Sequence, residues 1–174
     1  GLDISMTGPG FAAVEVIDRI PTLLATDTIT TVKTSVKTVN KKKVSTVYSD
    51  GTRLRKIAVK LKNFMSEYGP ADEIIKEASF HRFKTSTAQI FKSVGVFEYI
   101  LHEQEIIEYA ATSIKKTVTG SGTASKTEVA EKICEYLGLP LDTFEDRDDE
   151  SDAVAVIFTH LIKKKLIDWE KFEK

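Results

Sequence analysis

The sequence predicts an α/β domain built on a mixed sheet, and two observations indicate it. The first part of the chain is rich in β-branched residues, whereas from residue 54 onward apolar residues recur at helical spacing between short strand-like segments. Strands that come first and then alternate with helices are typical of this class. With 174 residues, 41% of them hydrophobic, residues 1–174 are predicted to form one domain with a sizeable core.

The N-terminal part of the chain is predicted to form strands. The predicted strands cover residues 1–5, 11–18, 28–39 and 44–48. Asp3 lies inside the first of them, and a turn at residues 7–10 separates this strand from its hairpin partner. A lysine-rich connection at residues 41–43 joins the last two. Because Asp3 is so close to Gly1, we expect further strand residues upstream of Gly1.

From residue 54 onward, helices and strands are predicted to alternate. The predicted helices cover residues 54–68, 86–103 and 125–138 and a last helix that begins near residue 149, and the predicted strands cover residues 73–77 and 106–109. Gly69 and Pro70 end the first helix, and Ser125 with Glu128 forms a capping box. The single cysteine, Cys134, excludes an internal disulfide and a cysteine-rich zinc site, which is typical of a reducing, intracellular setting.

Residues 149–160 are the most informative segment of the chain. Asp149 and Asp152 open an apolar helix and share one of its faces, about one turn apart. Burying two acids beside a core gains little unless a cation neutralises them. Asp3 and Glu77, each on a predicted strand, add further carboxylates. Acids from two strands and one helix predict a phosphodiesterase site with two Mg²⁺ ions, because Mg²⁺ prefers oxygen ligands and leaves room for water and phosphate.

A net charge of only −1 conceals two oppositely charged segments. Residues 33–62 carry ten lysines and arginines against one aspartate, a net charge of +9, whereas residues 142–152 carry seven acids against one arginine, a net charge of −6. A basic surface beside an acidic pocket suits a polyanion and metal ions. A solvated lysine-rich hairpin is the simpler alternative for the basic segment. No apolar run reaches the length of a membrane span, so no membrane partner is expected.

Several motifs resemble those of the RuvC-type Holliday junction resolvases. The motifs are residues 107–111, residues 114–122 with Lys126, and residues 149–160, with looser similarity at residues 1–3, 7–8 and 77–80. The resemblance implies a ribonuclease-H-like fold with a mixed five-stranded sheet flanked by helices. It also implies a homodimer whose two active sites nick opposed strands of a four-way DNA junction, in the cytoplasm of a bacterium or of a virus-infected host cell.

The resemblance also implies a role for individual residues. The metal-binding and catalytic acids would be Asp3, Glu77, Asp149 and Asp152. Lys126 would serve catalysis and, with Lys115, phosphate binding, and Phe80 would reach a base near the junction. The implied cofactor is Mg²⁺, two ions per active site, with Mn²⁺ as a substitute.

Two departures from the family pattern fall on surfaces expected to face DNA. The loop after the aromatic position is more basic than in the family, and a lysine-rich insertion precedes the first helix. The added residues are Arg82, Lys84, Lys41, Lys42 and Lys43. Contacts of lysine with phosphate carry no information on sequence or shape. We therefore expect these residues to bind DNA and the enzyme to cleave three-way and forked substrates as well as four-way junctions.

Two alternative functions stay open at this point. An RNA–DNA hybrid ribonuclease of the same fold would carry its glutamate on the first long helix, whereas Glu77 ends a strand. A non-catalytic junction-binding architectural protein would keep the basic surface and the dimer, yet every acid is present.

Three expectations concern packing. Residues 86–103 are the predicted dimer interface because their apolar content exceeds what one sheet face needs, and the relevant side chains are Phe91, Val94, Phe97 and Ile100. His160 is predicted to be a packed histidine rather than a ligand. Trp169 either seals the core or contacts another chain.

Overall fold

The computed structural model describes residues 1–31, 34–39, 42–78 and 84–169, with the backbone alone for residues 34–39, 42–47 and 84–87. The strands are β1 (Leu2–Asp3), β2 (Gly10–Ile17), β3 (Ile20–Thr28), β4 (Thr34–Val39), β5 (Lys42–Val47), β6 (Ile74–Glu77) and β7 (Ile106–Tyr109). The helices are α1 (Asp50–Tyr68), α2 (Lys84–Ile100), α3 (Ala111–Thr119), α4 (Lys126–Leu137) and α5 (Asp148–Lys163). None of these helices is long and apolar enough to cross a membrane.

Five strands form the main sheet, in the order β3-β2-β1-β6-β7. β1 pairs antiparallel with β2, and β2 with β3, whereas β1, β6 and β7 run parallel. The predicted mixed five-stranded sheet is therefore confirmed. The membership of that sheet differs from the prediction, because β3 was not predicted. The segments predicted at residues 28–39 and 44–48 correspond to β4 and β5, which form a separate two-stranded sheet, and Lys42 and Lys43 belong to β5 rather than to a connection.

The turn between β2 and β3 explains why β3 was missed. Asp18 and Arg19 form this turn at φ angles of 50° and 66°. Two-residue hairpin turns with positive φ usually contain asparagine or glycine, so this pair gives no sequence signal. Arg19 instead contacts the chain after α5, where it forms an ion pair with Asp168 and donates to the Lys165 carbonyl oxygen at 2.9 Å.

Helices cover both faces of the main sheet. Phe11 and Ile74 point to the face covered by α1 and α2, whereas the next residue of each strand, Ala12 or Ile75, points to the face covered by α3, α4 and α5. This alternation is the period of two expected of strands. Along α5, residues 153–161 are all buried, because the helix lies between the sheet and the other two helices of its layer. Trp169 packs against Tyr136 and Phe158 and thus seals the core.

Several helix boundaries differ from the predictions. α1 begins four residues early, at Asp50, where the Ser49 side chain accepts a hydrogen bond from the Thr52 backbone amide. α2 begins at Lys84, which was predicted to lie in a loop. α3 was not predicted, and its N-cap, Ala110, offers no side-chain cap. The capping box of α4 is confirmed.

Three of the four side chains predicted to form the dimer interface on α2 pack within this chain instead. Val94 and Phe97 are buried in the core and Ile100 packs against it, because α2 covers both the sheet and α1. Of the four predicted side chains, Phe91 alone is exposed, at 59%. Tyr99, which is 78% exposed, lies two turns further along the same face.

Candidate active site

The four predicted acids come from three elements that meet at one edge of the sheet. β1 and β6 are adjacent and parallel, and they end at Asp3 and Glu77. The carboxyl ends of adjacent parallel strands lie at the same edge of a sheet, which places these two acids near each other. The N-terminus of α5 packs across the same edge and brings Asp149 and Asp152 to them. The structure therefore groups all four predicted acids.

Two glycines allow this close approach of the helix to the sheet. A β-carbon on Gly10 would lie 1.8 Å from the Asp149 carbonyl oxygen, and one on Gly8 would lie 2.6 Å from Asp149 Oδ2. No side chain fits at Gly10 without separating helix from strand. The glycine-containing turn after β1 therefore fixes how near Asp149 comes to Asp3.

Glu150 anchors the start of α5 and was missed from the sequence. It is buried, it accepts a hydrogen bond from Thr26 Oγ1 on β3, and its carboxylate lies 3.5 Å from Arg147 Nη1. Because it is one residue from Asp149, it points to a different side of the helix. It binds the helix to the sheet while Asp149 and Asp152 face the other acids. Without a prediction of β3, no sequence signal links Glu150 to Thr26.

The carboxylates raise one another's pKa values. Burial, and after it the negative charges of Asp152, Asp149 and Glu77, together raise the pKa of Asp3 to about 8. The pKa of Glu77 is also raised, first by burial and then by Asp152. Burial raises the pKa of Asp149 too, and the positive charge of Lys126 offsets this effect in part. The cluster thus has more negative charge than the protein neutralises.

Two lysines supply the positive charge near these acids. Lys126, the first residue of α4, places Nζ 2.6 Å from Asp152 Oδ2 and 3.9 Å from Asp148 Oδ2. Partial burial works against its charge, but the hydrogen bond to Asp152 and the surrounding acids raise its pKa above the ordinary value. Lys115, on α3, lies near enough to lower the pKa of Glu77. Both predicted phosphate-binding lysines therefore lie beside the acids.

The donor set fits a hard divalent cation, although no coordination sphere is preformed. All four side chains offer carboxylate oxygens, the ligands that Mg²⁺ and Mn²⁺ accept. Mutual repulsion among partly buried carboxylates is the condition that a bound cation relieves. In the part of the chain that the structure describes, no three Asp, Glu, His or Cys side chains converge closely enough to hold an ion. The fit therefore rests on the chemistry of the donors and on their charge.

The expected DNA-binding residues beyond the two lysines lie largely outside the described side chains. Phe80, Arg82 and Lys41 are outside the described residues. Lys42 and Lys43 lie on β5 and Lys84 begins α2, with the backbone alone described. The roles expected for these six residues stay predictions.

His160 is a packed histidine, as the sequence analysis predicted. It is fully buried near the C-terminal end of α5, where Nε2 lies 2.7 Å from Glu73 Oε2 and Nδ1 lies 3.0 Å from the Tyr109 hydroxyl. A carboxylate can only accept, so Nε2 donates to Glu73, while Nδ1 and the Tyr109 hydroxyl share a second hydrogen bond. The two partners were not predicted, because neither lies near His160 in the sequence.

Two acids end adjacent parallel strands, and two more lie at the N-terminus of the helix packed on these strands. This arrangement defines a ribonuclease-H-like nuclease. The family Crossover junction endodeoxyribonuclease RuvC matches residues 1–160. RuvC of Alkaliphilus metalliredigens is 34% identical over 121 residues, which cover 68% of this chain and 72% of that protein. RuvC of Prochlorococcus marinus (strain AS9601) is 28% identical over 163 residues, which cover 92% and 94%.

Solved structures agree with this family. The structure of Thermus thermophilus RuvC superimposes with a TM-score of 0.72 at 19% identity, and T. thermophilus RuvC in complex with a Holliday junction substrate superimposes with a TM-score of 0.73 at 18% identity. Each alignment covers 95% of this chain and 94% of the other. The chain belongs to the RuvC family of crossover junction endodeoxyribonucleases. This confirms the expected family, the ribonuclease-H-like fold and the endonuclease class, and the two alternative functions are not favoured.

Proposed function

We propose that residues 1–174 form a single nuclease domain that resolves four-way DNA junctions with two Mg²⁺ ions, for which Mn²⁺ substitutes. The observation that carries this proposal is the excess of carboxylate charge at one edge of the sheet. The ligands are Asp3, Glu77, Asp149 and Asp152. When bound, the ions supply activation of the attacking water and neutralisation of charge on the scissile phosphate.

The chain's own residues position the phosphate. Lys126 forms an ion pair with Asp152. A cation held by Asp152 would neutralise that carboxylate, and the Lys126 ammonium group would then contact the phosphate and offset the negative charge that develops on it. Lys115, on the neighbouring helix α3, binds an adjacent phosphate. The close packing at Gly10 keeps Asp149 in place, because the α5 backbone there rests directly on β2.

Branched DNA is the proposed substrate, in the cytoplasm of a bacterium or of a virus-infected host cell. The junction complex of T. thermophilus RuvC supports a four-way junction. The basic residues added to the family pattern extend the contact with DNA phosphates and widen the range to three-way junctions and forks. Phe80 stacks on a base near the branch point. The added residues are Arg82, Lys84, Lys41, Lys42 and Lys43.

A homodimer is proposed because symmetric incision needs two equivalent sites. The interface is assigned to the outer face of α2, where Phe91 and Tyr99 are exposed and a β-carbon on Gly95 between them would meet open space. A second copy can approach closely at the glycine and bury both aromatic rings. Replacing Tyr99 with Glu should convert the dimer into a monomer in sedimentation and reduce paired incision to single nicks. A monomeric unmodified protein at micromolar concentration would contradict the dimer.

Cleavage of a labelled four-way junction beside three-way, forked and linear duplex DNA tests the proposed activity. With Mg²⁺ we expect cleavage of the branched substrates and not of the duplex, whereas Ca²⁺ should support binding without cleavage because its larger, looser shell positions water poorly. Replacing Lys41, Lys42 and Lys43 with Ala should weaken binding to every substrate and reduce its salt dependence. Cleavage restricted to four-way junctions would refute the proposed range of branched substrates but not the nuclease activity.

A further inference from the structure

The turn between β1 and β2, at residues 4–9, is held by hydrogen bonds from elsewhere in the chain. The Met6 carbonyl oxygen accepts from Arg53 Nη2 at 3.1 Å and from Thr31 Oγ1. The Thr7 carbonyl oxygen accepts from the Thr31 backbone amide at 2.7 Å. These bonds are not part of the strand pairing. Together with the pairing of Asp3 with Gly10 at the base of the turn, these bonds determine where the turn lies.

Both residues that hold the turn are buried. Arg53 is 3% exposed and Thr31 is 0% exposed, and Arg53 Nε donates to the Thr31 carbonyl oxygen at 3.0 Å. The Asp50 carboxylate lies 3.8 Å from the guanidinium group. Apolar residues of similar volume usually stabilise a fold as well as a buried charge does. A guanidinium group that bonds two loop carbonyls instead fixes the relative positions of the two loops.

The same turn contacts the acid cluster on its other side. Gly8 belongs to it, and its α-carbon lies so close to Asp149 that an added β-carbon would be 2.6 Å from Oδ2. The Gly8 amide donates to Ser5 Oγ at 2.9 Å, which closes the turn. A displacement of the turn by a few tenths of an ångström would therefore move it against the Asp149 carboxylate or away from it.

We propose that Thr31 and Arg53 are positioning residues of the active site. They hold the turn at residues 4–9 so that Gly8 leaves the Asp149 carboxylate in the position from which it binds a divalent cation. This inference rests on the proposed metal-dependent function.

Thr31→Val and Thr31→Ser test the role of the hydroxyl group. Valine keeps the shape and removes the bond to Met6, whereas serine keeps the bond. Thr159→Val is the matched control, because Thr159 is also fully buried but donates within its own helix, to the Ala155 carbonyl oxygen at 2.9 Å. The readouts are the Mn²⁺ concentration that half-saturates the rise in melting temperature without DNA, the single-turnover cleavage rate, and junction affinity in Ca²⁺.

For Thr31→Val we expect about a tenfold increase in the Mn²⁺ midpoint and about a tenfold loss of cleavage rate, as for residues that orient metal ligands. Junction affinity should stay within about twofold, since the turn does not carry the basic residues. Thr31→Ser should restore both values. Thr159→Val should lower the melting temperature without moving the Mn²⁺ midpoint. A Thr31→Val protein that behaves like Thr159→Val would overturn the proposal.

Gly8→Ala gives a second test that does not depend on the folding of the Thr31 variants. Its β-carbon would meet the far end of the Asp149 side chain, which can turn away, so the fold should tolerate it. We expect the same shift of the Mn²⁺ midpoint as for Thr31→Val, and an unchanged midpoint would refute the positioning of Asp149 by the turn. If Mn²⁺ neither stabilises the unmodified protein nor supports its cleavage of DNA, the proposed function fails, independently of these variants.

Discussion

The two ends of α5 both present titratable side chains to the sheet, but they differ in how the charges are balanced. At the N-terminal end, Asp149 and Asp152 face other carboxylates, and Lys126 forms an ion pair with Asp152. At the C-terminal end, both ring nitrogens of His160 have partners, one in the Tyr109 hydroxyl and one in the Glu73 carboxylate. The negative charge of the first cluster is not balanced by the described residues, whereas both ring nitrogens of the second cluster have partners.

This difference separates function from structure along a single helix. A buried polar network whose members satisfy one another stabilises the fold and requires no ligand. A group of like charges that raise one another's pKa values is instead typical of a functional site. Perturbation of the N-terminal cluster should therefore change activity and spare the fold, and perturbation of the C-terminal cluster should do the reverse.

The largest effect is expected from neutralising the acids. Asp3→Asn, Glu77→Gln or Asp152→Asn should each reduce cleavage by about 10³-fold or more, because metal-ion catalysis contributes several kcal/mol to the reaction. Junction binding in the absence of metal should be equal or tighter, since each change removes repulsion toward phosphate. Cleavage and binding of a labelled four-way junction measure both quantities, and Asp142→Asn, in the same acidic segment, is the control.

Of these variants, Asp3→Asn should also stabilise the metal-free protein. The pKa of Asp3 is raised to about 8, which means that the folded protein stabilises the ionised carboxylate less well than water does. At neutral pH this difference lowers the free energy of unfolding. Asparagine removes that cost, and the melting temperature without metal should rise for Asp3→Asn. Near-wild-type cleavage by any of the three variants at saturating Mg²⁺ would show that the acids are not the metal ligands.

Lys126 is expected to have the next largest effect. Lys126→Ala removes a charge that lies 2.6 Å from Asp152 and should lower the single-turnover cleavage rate by about 10²-fold, the usual cost of losing one group that stabilises developing charge. Lys132→Ala is the matched control, because Lys132 lies on the same helix but pairs with Glu135 at 2.6 Å. Equal rates for the two variants would place Lys126 outside the catalytic machinery.

The two ends of α5 also differ in how well the sequence predicted them. Asp149 and Asp152 could be predicted because their spacing on a helix is a local pattern, and Asp3 and Glu77 because each lies on a recognisable strand. The close approach of α5 to Gly8 and Gly10 could not be predicted, because it depends on the distance between two segments that are far apart in the sequence. The sequence indicated the proposed ligands but not the turn that lies against them.

Elements without local signals were missed or misplaced. The Asp18–Arg19 turn lacks the usual glycine or asparagine, so β3 was not predicted. The hydrogen bond from Thr26 on β3 to Glu150 was therefore not predicted either. Phe97 was assigned to a dimer interface because an apolar helix face can serve either the core or a partner, and the sequence does not distinguish them. The partners of His160 are at least fifty residues away from it in the chain.

At the C-terminal end, His160→Gln should affect stability rather than activity. The glutamine side chain cannot reach both Tyr109 and Glu73 with the geometry of the ring, so at least one buried polar group loses its partner, at a cost of about 2 kcal/mol. For a chain of this size that corresponds to a fall in melting temperature of about 4–8 °C. Cleavage at 25 °C should stay within about twofold of the unmodified protein. A loss of cleavage in a fully folded variant would mean that the two clusters are coupled.

The smallest effect, and the sharpest test of the separation, is expected from Tyr109→Phe. The change removes one hydroxyl group and leaves His160 Nδ1 without its 3.0 Å partner, which should cost about 1 kcal/mol and lower the melting temperature by about 2–4 °C. Tyr109 nevertheless lies directly opposite Glu77 in the pairing of β6 with β7. If the two clusters are independent, the Mg²⁺ dependence of cleavage will not change. A shift in that dependence would show that Tyr109 also influences the position of Glu77, and the division between a functional and a structural end of α5 would then not hold.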